Sequence, residues 1–155
     1  MRKLAIFDLD GTINTSTARA ELIPKDPRKH AAWHPWHKAF RMERLNTDLI
    51  KTAQAYHKAG YMISVVSNRD ENLSMATSLH LYEASFPTAR YHLRNIEDTR
   101  TTVDWKSETI QNLLAYAGKI EVHHFDDDKK ALEKLTEQFK FDDDILYIPH
   151  LVSWG

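Results

Sequence analysis

Two aspartates one residue apart, Asp8 and Asp10, directly follow the apolar run Lys3–Phe7 near the start of the chain. Such a run is typical of a parallel strand that is buried on both faces. Carboxylates after the strand lie where open α/β sheets bind ligands, and alternate side chains of an extended chain point the same way. Gly11 then allows the backbone to turn sharply. The pattern favours a site for a hard cation, Mg²⁺ above all, although a simple acidic turn is the alternative.

A second group of polar residues, Ser67, Asn68 and Arg69, follows the apolar run Tyr61–Val66. A serine hydroxyl can donate to phosphate oxygens, and the planar arginine fork can bind two of them at once. Ser-Asn-Arg by itself is equally a polar turn. Its position after an apolar strand favours a functional role over a simple turn.

A third group, Asp126 and Asp127, follows the apolar run Glu121–Phe125 and precedes a helical pattern. Asp128 suits the start of that helix, because a carboxylate is favourable near a helix N-terminus. A second acidic run, Asp142–Asp144, precedes a strand instead of following one. We therefore expect Asp126 and Asp127, and not the second run, to lie at the end of the sheet where ligands bind.

Strands and helices alternate along the chain, which predicts an α/β fold with a parallel sheet and helices on both faces. Gly60 stands where a helix stop belongs. The predicted strands are Lys3–Phe7, Tyr61–Val66, Thr88–Leu93, Glu121–Phe125 and Ile145–Ile148, and the predicted helices are Thr47–Ala59, Trp105–Tyr116 and Lys129–Phe139. The 155 residues show no repeat or linker, so we expect a single domain over residues 1–155.

Composition narrows the function classes. The chain has no cysteine, which excludes disulfides and thiolate metal sites. Its net charge of −1 confines any polynucleotide contact to a local surface. No apolar run approaches the roughly 20 residues that span a bilayer, so no membrane partner is expected. Asp8 and Asp10 interrupt the apolar stretch of the first 20 residues, which argues against a signal peptide and favours the cytoplasm.

The sequence Asp8-Leu9-Asp10-Gly11-Thr12 resembles motif one of the haloacid dehalogenase (HAD) superfamily of phosphohydrolases. The resemblance implies a three-layer α/β/α Rossmann-like fold with a central parallel sheet of about five strands. It implies that Asp8 is the nucleophile that accepts the phosphoryl group, and that Asp10 is the general acid and base. Lys106, with Lys119 as the alternative, would be the lysine that stabilises the negative charge of the phosphoaspartate intermediate.

The segment Arg94–Arg100, followed by Asp104-Trp105-Lys106, is similar to the 3′-phosphatase domain of phage polynucleotide kinases. Two departures stand against this: Asn68 replaces a common glycine, and no kinase domain with a Gly-rich phosphate loop accompanies the chain. The resemblances together imply the catalytic residues Asp8, Asp10 and Lys106, the phosphate- and substrate-binding residues Thr12, Ser67, Asn68, Arg69, Arg94 and Arg100, and the metal ligands Asp8, Asp10, Asp126 and Asp127.

Residues 14–46 form a segment that the alternating pattern does not explain, and the resemblance implies a small cap insertion there. Basic residues alternate with Trp33 and Trp36, a mixture that suits bases and phosphates of nucleotides, although both tryptophans are equally suited to packing the cap. His30, His34 and His37 have helical spacing, so zinc is an alternative, but Pro35 interrupts that helix.

The expected function is a Mg²⁺-dependent phosphomonoesterase that works through a phosphoaspartate. Its partner would be a phosphorylated substrate, a nucleotide or the 3′-phosphate end of DNA or RNA, in nucleic-acid repair within a bacterium or a phage-infected host. One alternative is a phosphatase of sugar phosphates or other small metabolites. Another is a noncatalytic binding protein with the same fold, which the combination of Asp8, Lys106 and Asp126 disfavours.

Overall fold

The fold is seen in a computed structural model that describes residues 1–153. Five parallel strands form one sheet in the order β3-β2-β1-β4-β5. The strands are β1 (Arg2–Phe7), β2 (Met62–Asp70), β3 (Arg90–Arg94), β4 (Ile120–Asp126) and β5 (Ile145–Leu151). The helices are α1 (His34–Lys38), α2 (Thr47–Lys58), α3 (Ser74–Glu83), α4 (Thr102–Leu114) and α5 (Lys129–Phe139). The predicted parallel α/β fold is confirmed.

Two separate apolar cores cover the two faces of the sheet, since alternate residues of a strand point to opposite sides. Phe7 and Val65 pack with Leu49 of α2 and Leu81 of α3 on one face. Leu4 and Ile6 pack with α4 and α5 on the other face. β1 is central and buried on both sides, which explains why its sequence is continuously apolar and does not alternate.

Local sequence signals account for most of the helix boundaries. Asn46 caps α2, accepting a hydrogen bond from the Leu49 amide, and Gly60 ends it with a positive φ of 92°. Asp128 accepts bonds from the Lys130 and Ala131 amides at the start of α5. The predicted start of α5 is therefore confirmed together with its cap.

Several predicted boundaries were wrong. β2 continues to Asp70 instead of ending at Val66, and α4 begins at Thr102 because Thr101 accepts a bond from the Asp104 amide. Helix α3 was not predicted at all, since only Thr77 and Leu81 of its ten residues are buried. Weak burial leaves a helix without a clear apolar stripe in the sequence.

The segment between β1 and α2, residues 14–46, has no strand of its own. It consists of turns, three short 3₁₀ helices and helix α1. Pro35 lies in the first turn of α1, where its missing N–H costs nothing, so it helps to begin this helix after the 3₁₀ turn His30–Trp33. We call residues 14–46 the β1–α2 insertion below.

Candidate active site

The carboxyl ends of β1, β2 and β4 bring the polar residues of three motifs together. Phe7 lies opposite Val65 of β2 and Phe125 of β4, so the residues that follow all three emerge at the same edge of the sheet. The Asp8 amide donates to the Phe125 carbonyl over 3.0 Å, which places Asp8 beside Asp126. The register of the parallel sheet therefore assembles this edge.

Three carboxylates at this edge lie close enough to bind one cation. Asp8, Asp126 and Asp127 each offer an oxygen within 4.8 Å of the others. Asp8 and Asp126 are buried, whereas Asp127 is exposed. No other such group of acidic or histidine side chains occurs within residues 1–153. Oxygen-only ligands of this kind suit a hard divalent cation such as Mg²⁺.

Thr12 connects two of these carboxylates. Its hydroxyl accepts a hydrogen bond from the Asp127 amide and lies 3.1 Å from Asp8 Oδ2, to which it can donate. Gly11 allows the same close approach, because a Cβ there would lie 2.2 Å from Asp127 Oδ2, and its φ is +88°. The turn after β1 is therefore shaped to receive the end of β4.

Lys106 supplies a fixed positive charge to the carboxylates. Its Nζ lies 2.7 Å from Asp126 Oδ2 and 3.4 Å from Asp8 Oδ1, and the side chain is only 2% exposed. Burial opposes its charge, but Asp126 and Asp8 raise the pKa of the Lys106 amine overall. Burial, with a further contribution from Asp126, raises the pKa of the Asp8 carboxyl well above its usual value. The site is therefore short of positive charge, a deficit that a bound cation would relieve.

Asp10 lies apart from the metal-binding group. Its Oδ1 accepts hydrogen bonds from Arg19, Arg69 and Asn14, each over 2.8 Å. Burial works to raise the pKa of Asp10, but Arg69 and Arg19 lower it overall to well below its usual value. The structure therefore directs this carboxylate towards two arginines, in contrast to the expected role as a side-chain metal ligand.

Arg19 is the main site residue that sequence reasoning missed. It is fully buried, contacts Glu43 over 2.7 Å, donates to the Trp36 carbonyl over 2.7 Å, and stacks on the Trp36 ring. Its partners Asp10, Trp36 and Glu43 stand 9, 17 and 24 residues away in the chain. No local pattern could have distinguished it from the exposed basic residues of the insertion.

His124 was also missed. It is fully buried on β4, with Nε2 lying 3.2 Å from Asp126 Oδ2 and Nδ1 lying 2.7 Å from the Tyr147 hydroxyl. Burial works to raise the pKa of Asp126, but Lys106 and His124 lower it overall. His124 thus helps to fix the orientation and the charge of one of the three grouped carboxylates. The sequence signal was its position two residues before Asp126, on the same face of the strand.

The predicted phosphate-binding group is only partly placed at the site. Ser67 and Asn68 line the cavity described below. Arg69 is not among the described residues that line it; its guanidinium is bound by Asp10, Asn14 and Thr77. Arg69 thus positions Asp10 in this structure and makes no side-chain contact with the cavity.

The two arginines of the Arg94–Arg100 segment lie behind the cavity wall. Arg94 is buried, donates to Asn68 Oδ1 over 3.1 Å, and contacts Asp98 and the Arg100 carbonyl. Arg100 is exposed and pairs with Asp98 and Glu108. Neither lines the cavity among the described residues. Arg94 therefore orients Asn68, and Arg100 organises the loop before α4.

A cavity of about 360 Å³ opens beside the carboxylates. One wall is the sheet edge with Asp8 and Asp10, together with Lys106 of α4. The opposite wall comes from the β1–α2 insertion and consists of His30, Trp33, Trp36 and His37. The insertion therefore covers the sheet edge with aromatic and imidazole rings.

The three histidines considered for zinc do not converge. His34 Nδ1 lies 2.8 Å from Asp70 Oδ2, whereas the His30 and His37 rings contact each other at 5.5 Å. Within the described part of the chain, no group of three metal ligands includes any of them. The histidines therefore contribute to the cavity wall and to a contact with Asp70 instead of a zinc site.

The five-stranded parallel sheet with helices on both faces has the fold of solved HAD domains, the fold that the resemblance in the sequence implies. A chain of the Pnkp1/Rnl/Hen1 RNA repair complex is similar in structure, with a TM-score of 0.71 and 20% identity. The match covers 100% of this chain and 43% of that one, so this chain spans less than half of its length.

Two further solved structures share the fold. The HAD domain of effector protein Lem4 from Legionella pneumophila, an inactive mutant, has a TM-score of 0.65 and 15% identity, with coverage of 100% of this chain and 87% of that one. Class C acid phosphatase from Bacillus anthracis with tungstate bound has a TM-score of 0.58 and 17% identity, with coverage of 96% and 66%. No protein-family model and no curated protein matches the sequence.

No helix within residues 1–153 has the length and apolar character needed to cross a membrane.

Proposed function

We infer that the protein is a Mg²⁺-dependent phosphomonoesterase that works through a phosphoaspartate on Asp8. The observation that carries this is the position of Asp8 at the edge of a cavity, 3.4 Å from the Lys106 ammonium and grouped with the carboxylates of Asp126 and Asp127. An aspartate with a fixed ammonium beside it and neighbouring oxygen ligands for a cation is arranged for phosphoryl transfer.

The reaction has two steps. In the first, an Asp8 oxygen attacks the phosphorus, the bond to the alcohol oxygen breaks, and the alcohol leaves with a proton from Asp10. In the second, Asp10 takes a proton from water, and the resulting hydroxide displaces Asp8 to release inorganic phosphate. Lys106 offsets the negative charge throughout, and Ser67 and Asn68 contact the phosphoryl oxygens. Mg²⁺ held by Asp8, Asp126 and Asp127 would supply further charge stabilisation.

Arg19 and Arg69 position Asp10 for these proton transfers. Their contacts favour the ionised carboxylate, which is the form that activates water in the second step. Donation in the first step requires the proton to be held at Asp10 while the substrate occupies the cavity. The β1–α2 insertion acts as a cap of this single HAD-type domain, since it supplies both Arg19 and the far wall of the cavity.

The substrate is a nucleotide or the 3′-phosphate end of a polynucleotide. Support comes from the Arg94–Arg100 segment, from the basic residues of the cap, and from the similarity to a chain of an RNA repair complex. The similarity to a class C acid phosphatase favours the second candidate, a phosphatase of small metabolites.

A substrate panel tests the proposal. Phosphate release is measured with Mg²⁺ from a 3′-phosphorylated oligonucleotide, a 5′-phosphorylated one, mononucleotides and sugar phosphates, and again after chelation by EDTA. We expect the 3′-phosphorylated oligonucleotide or a mononucleotide to be the best substrate, with activity lost in EDTA. Faster release from sugar phosphates would favour the second candidate, and no release from any substrate would refute a phosphatase.

A further inference from the structure

The cap wall of the cavity contains polar atoms that the protein itself leaves without partners. His30 Nε2, Trp36 Nε1 and His37 Nδ1 are buried and make no hydrogen bond with any described residue. Trp36 is 7% exposed and His37 is 4% exposed. Buried polar atoms are nearly always paired, because an unpaired one loses its bonds to water without replacement. All three residues line the same cavity, so a ligand bound there can complete these hydrogen bonds once the rings turn towards it.

The two imidazoles on this wall are neutral at physiological pH. Burial, assisted by Arg94, lowers the pKa of His30 to about 4. Burial also lowers the pKa of His37 to about 4, although Asp10 opposes the shift. A neutral imidazole has one donor and one acceptor nitrogen, whereas the Trp36 indole can only donate. The wall therefore suits a neutral group with hydrogen-bonding atoms of both kinds, and not a second phosphate.

The size and shape of the cavity limit what can fill it. A volume of about 360 Å³ lies near the lower end of the range for small-molecule sites. The wall is built from flat rings, including the half-buried Trp33, whose indole contacts Trp36 edge-on at 5.3 Å. Flat rings bind a planar heterocycle by stacking, and a flexible polyol gains less from them.

We propose that the wall formed by His30, Trp36 and His37 binds the alcohol part of the substrate as a single nucleoside, with His37 as a specificity-determining residue. This rests on the proposed phosphatase function and adds the identity of the leaving group. The phosphate lies against Asp8 and Lys106, and the sugar and base lie against the cap. The cavity holds one terminal nucleoside, so any further nucleotides lie outside it.

The test compares kcat/KM for thymidine 3′-monophosphate, ribose 5-phosphate and phenyl phosphate in the same protein samples. The leaving group of phenyl phosphate has no heteroatom beyond the ester oxygen, so it cannot use hydrogen bonds from the wall. A loss of folded protein or of the rate of phosphoryl transfer lowers both activities and therefore cancels in a ratio to phenyl phosphate. We call the kcat/KM for thymidine 3′-monophosphate divided by that for phenyl phosphate the thymidine ratio. His37→Leu should lower this ratio about two- to tenfold, which is the effect of one neutral hydrogen bond, and chiefly through KM. His37→Asn, which keeps polar atoms at the position of Nδ1, should recover most of it.

His92→Leu is the matched control, since His92 is also partly buried with an unpartnered Nε2 but does not line the cavity. Its thymidine ratio should equal that of the wild type. An unchanged ratio in His37→Leu would overturn the inference and make His37 a packing residue. A fall confined to the ribose 5-phosphate ratio would overturn the nucleoside assignment. If the wild type hydrolyses phenyl phosphate but neither other compound, the inference fails alone; if it hydrolyses none of the three, the proposed function fails with it.

Discussion

At the scale of single residues, the candidate active site depends on how charges are paired at the ends of three strands. Lys106 lies against Asp126 and Asp8, and Arg19 and Arg69 lie against Asp10. The two aspartates of the first motif thus have opposite surroundings. The pKa of Asp8 is raised, chiefly by burial, and that of Asp10 is lowered by its arginines against the effect of burial. Two carboxylates of one turn are thereby fitted to different chemical roles.

Asp8→Asn should reduce phosphate release to background, because an amide cannot accept the phosphoryl group. The same change should raise the melting temperature in EDTA at pH 7. Since the folded-state pKa of Asp8 lies above the usual aspartate value, its ionisation costs stability as the pH rises above that value, and asparagine removes this cost. Thermal melts of the wild type and of Asp8→Asn between pH 4 and 8 measure this difference in stability. Residual activity in a sample checked for deamidation would contradict the nucleophile assignment.

Asp127→Ala and Asp126→Ala should both lower activity and raise the Mg²⁺ concentration needed for half-maximal rate. They should differ in stability. Asp126→Ala removes the main partner of buried Lys106, so we expect its free energy of unfolding to fall by about 3 kcal/mol. Asp127 is exposed, so Asp127→Ala should change the free energy of unfolding little. Mg²⁺ titrations and urea unfolding measure the two effects. Asp143→Ala, on the exposed loop before β5, is the control, and a Mg²⁺ effect there would contradict the placement of the metal site.

At the scale of elements, the turn after β1 and the end of β4 must fit together closely. Gly11 allows both the positive φ and the contact with Asp127, while Thr12 bonds to the Asp127 amide. The short segment after β1 therefore sets the distance between the carboxylates of Asp8 and Asp127, which stand more than a hundred residues apart in the chain.

Gly11→Ala should abolish Mg²⁺-dependent activity, because its Cβ would displace the Asp127 carboxylate. Gly60→Ala is the matched control: its φ of +92° is almost the same, but a Cβ there meets nothing within 4 Å. We expect Gly60→Ala to lose only about 1 kcal/mol of stability, the strain of a left-handed residue, and to keep its activity. Activity assays and thermal melts compare the two variants. Equal activity losses would show that backbone strain, and not the Asp127 contact, matters at Gly11.

At the scale of the whole molecule, the β1–α2 insertion places some of its side chains against the cavity and others in solvent. Its rings line the cavity, whereas Lys29, Lys38 and Arg41 are exposed and lie outside the cavity lining. Basic residues around a cavity of nucleoside size would contact the backbone of a longer substrate beyond its terminal nucleotide.

Replacing Lys29, Lys38 and Arg41 with alanine should lower kcat/KM for oligonucleotide substrates more than for a small phosphomonoester. The logarithm of kcat/KM should fall less steeply with the logarithm of salt concentration, by a slope of up to about 2 for three lost phosphate contacts on a single strand. The control replaces Lys58, Lys119 and Lys140, which are also exposed but precede the amino ends of β2, β4 and β5. Equal losses on both substrates would favour the small-metabolite phosphatase.

The sequence by itself determined the order of the five strands and of helices α2, α4 and α5, and it identified the three carboxylates that meet at the sheet edge. Asp8, Asp126 and Asp127 could be predicted because each follows an apolar run, and parallel strands carry their carboxyl ends to one edge. The start of α5 could be predicted because Asp128 is a local cap. These features depend on residues that are close together in the chain.

The tertiary structure alone decided how the polar side chains pair. Arg69 was expected to hold phosphate, yet it binds Asp10, because β2 runs beyond Val66 and carries Arg69 to the side of the turn after β1. Arg19 gained its role through partners that only folding of the insertion brings near. The position of His37 in the cavity wall likewise depends on the β1–α2 insertion as a whole. Such contacts join distant residues, and their energies depend on burial, which local sequence patterns do not encode.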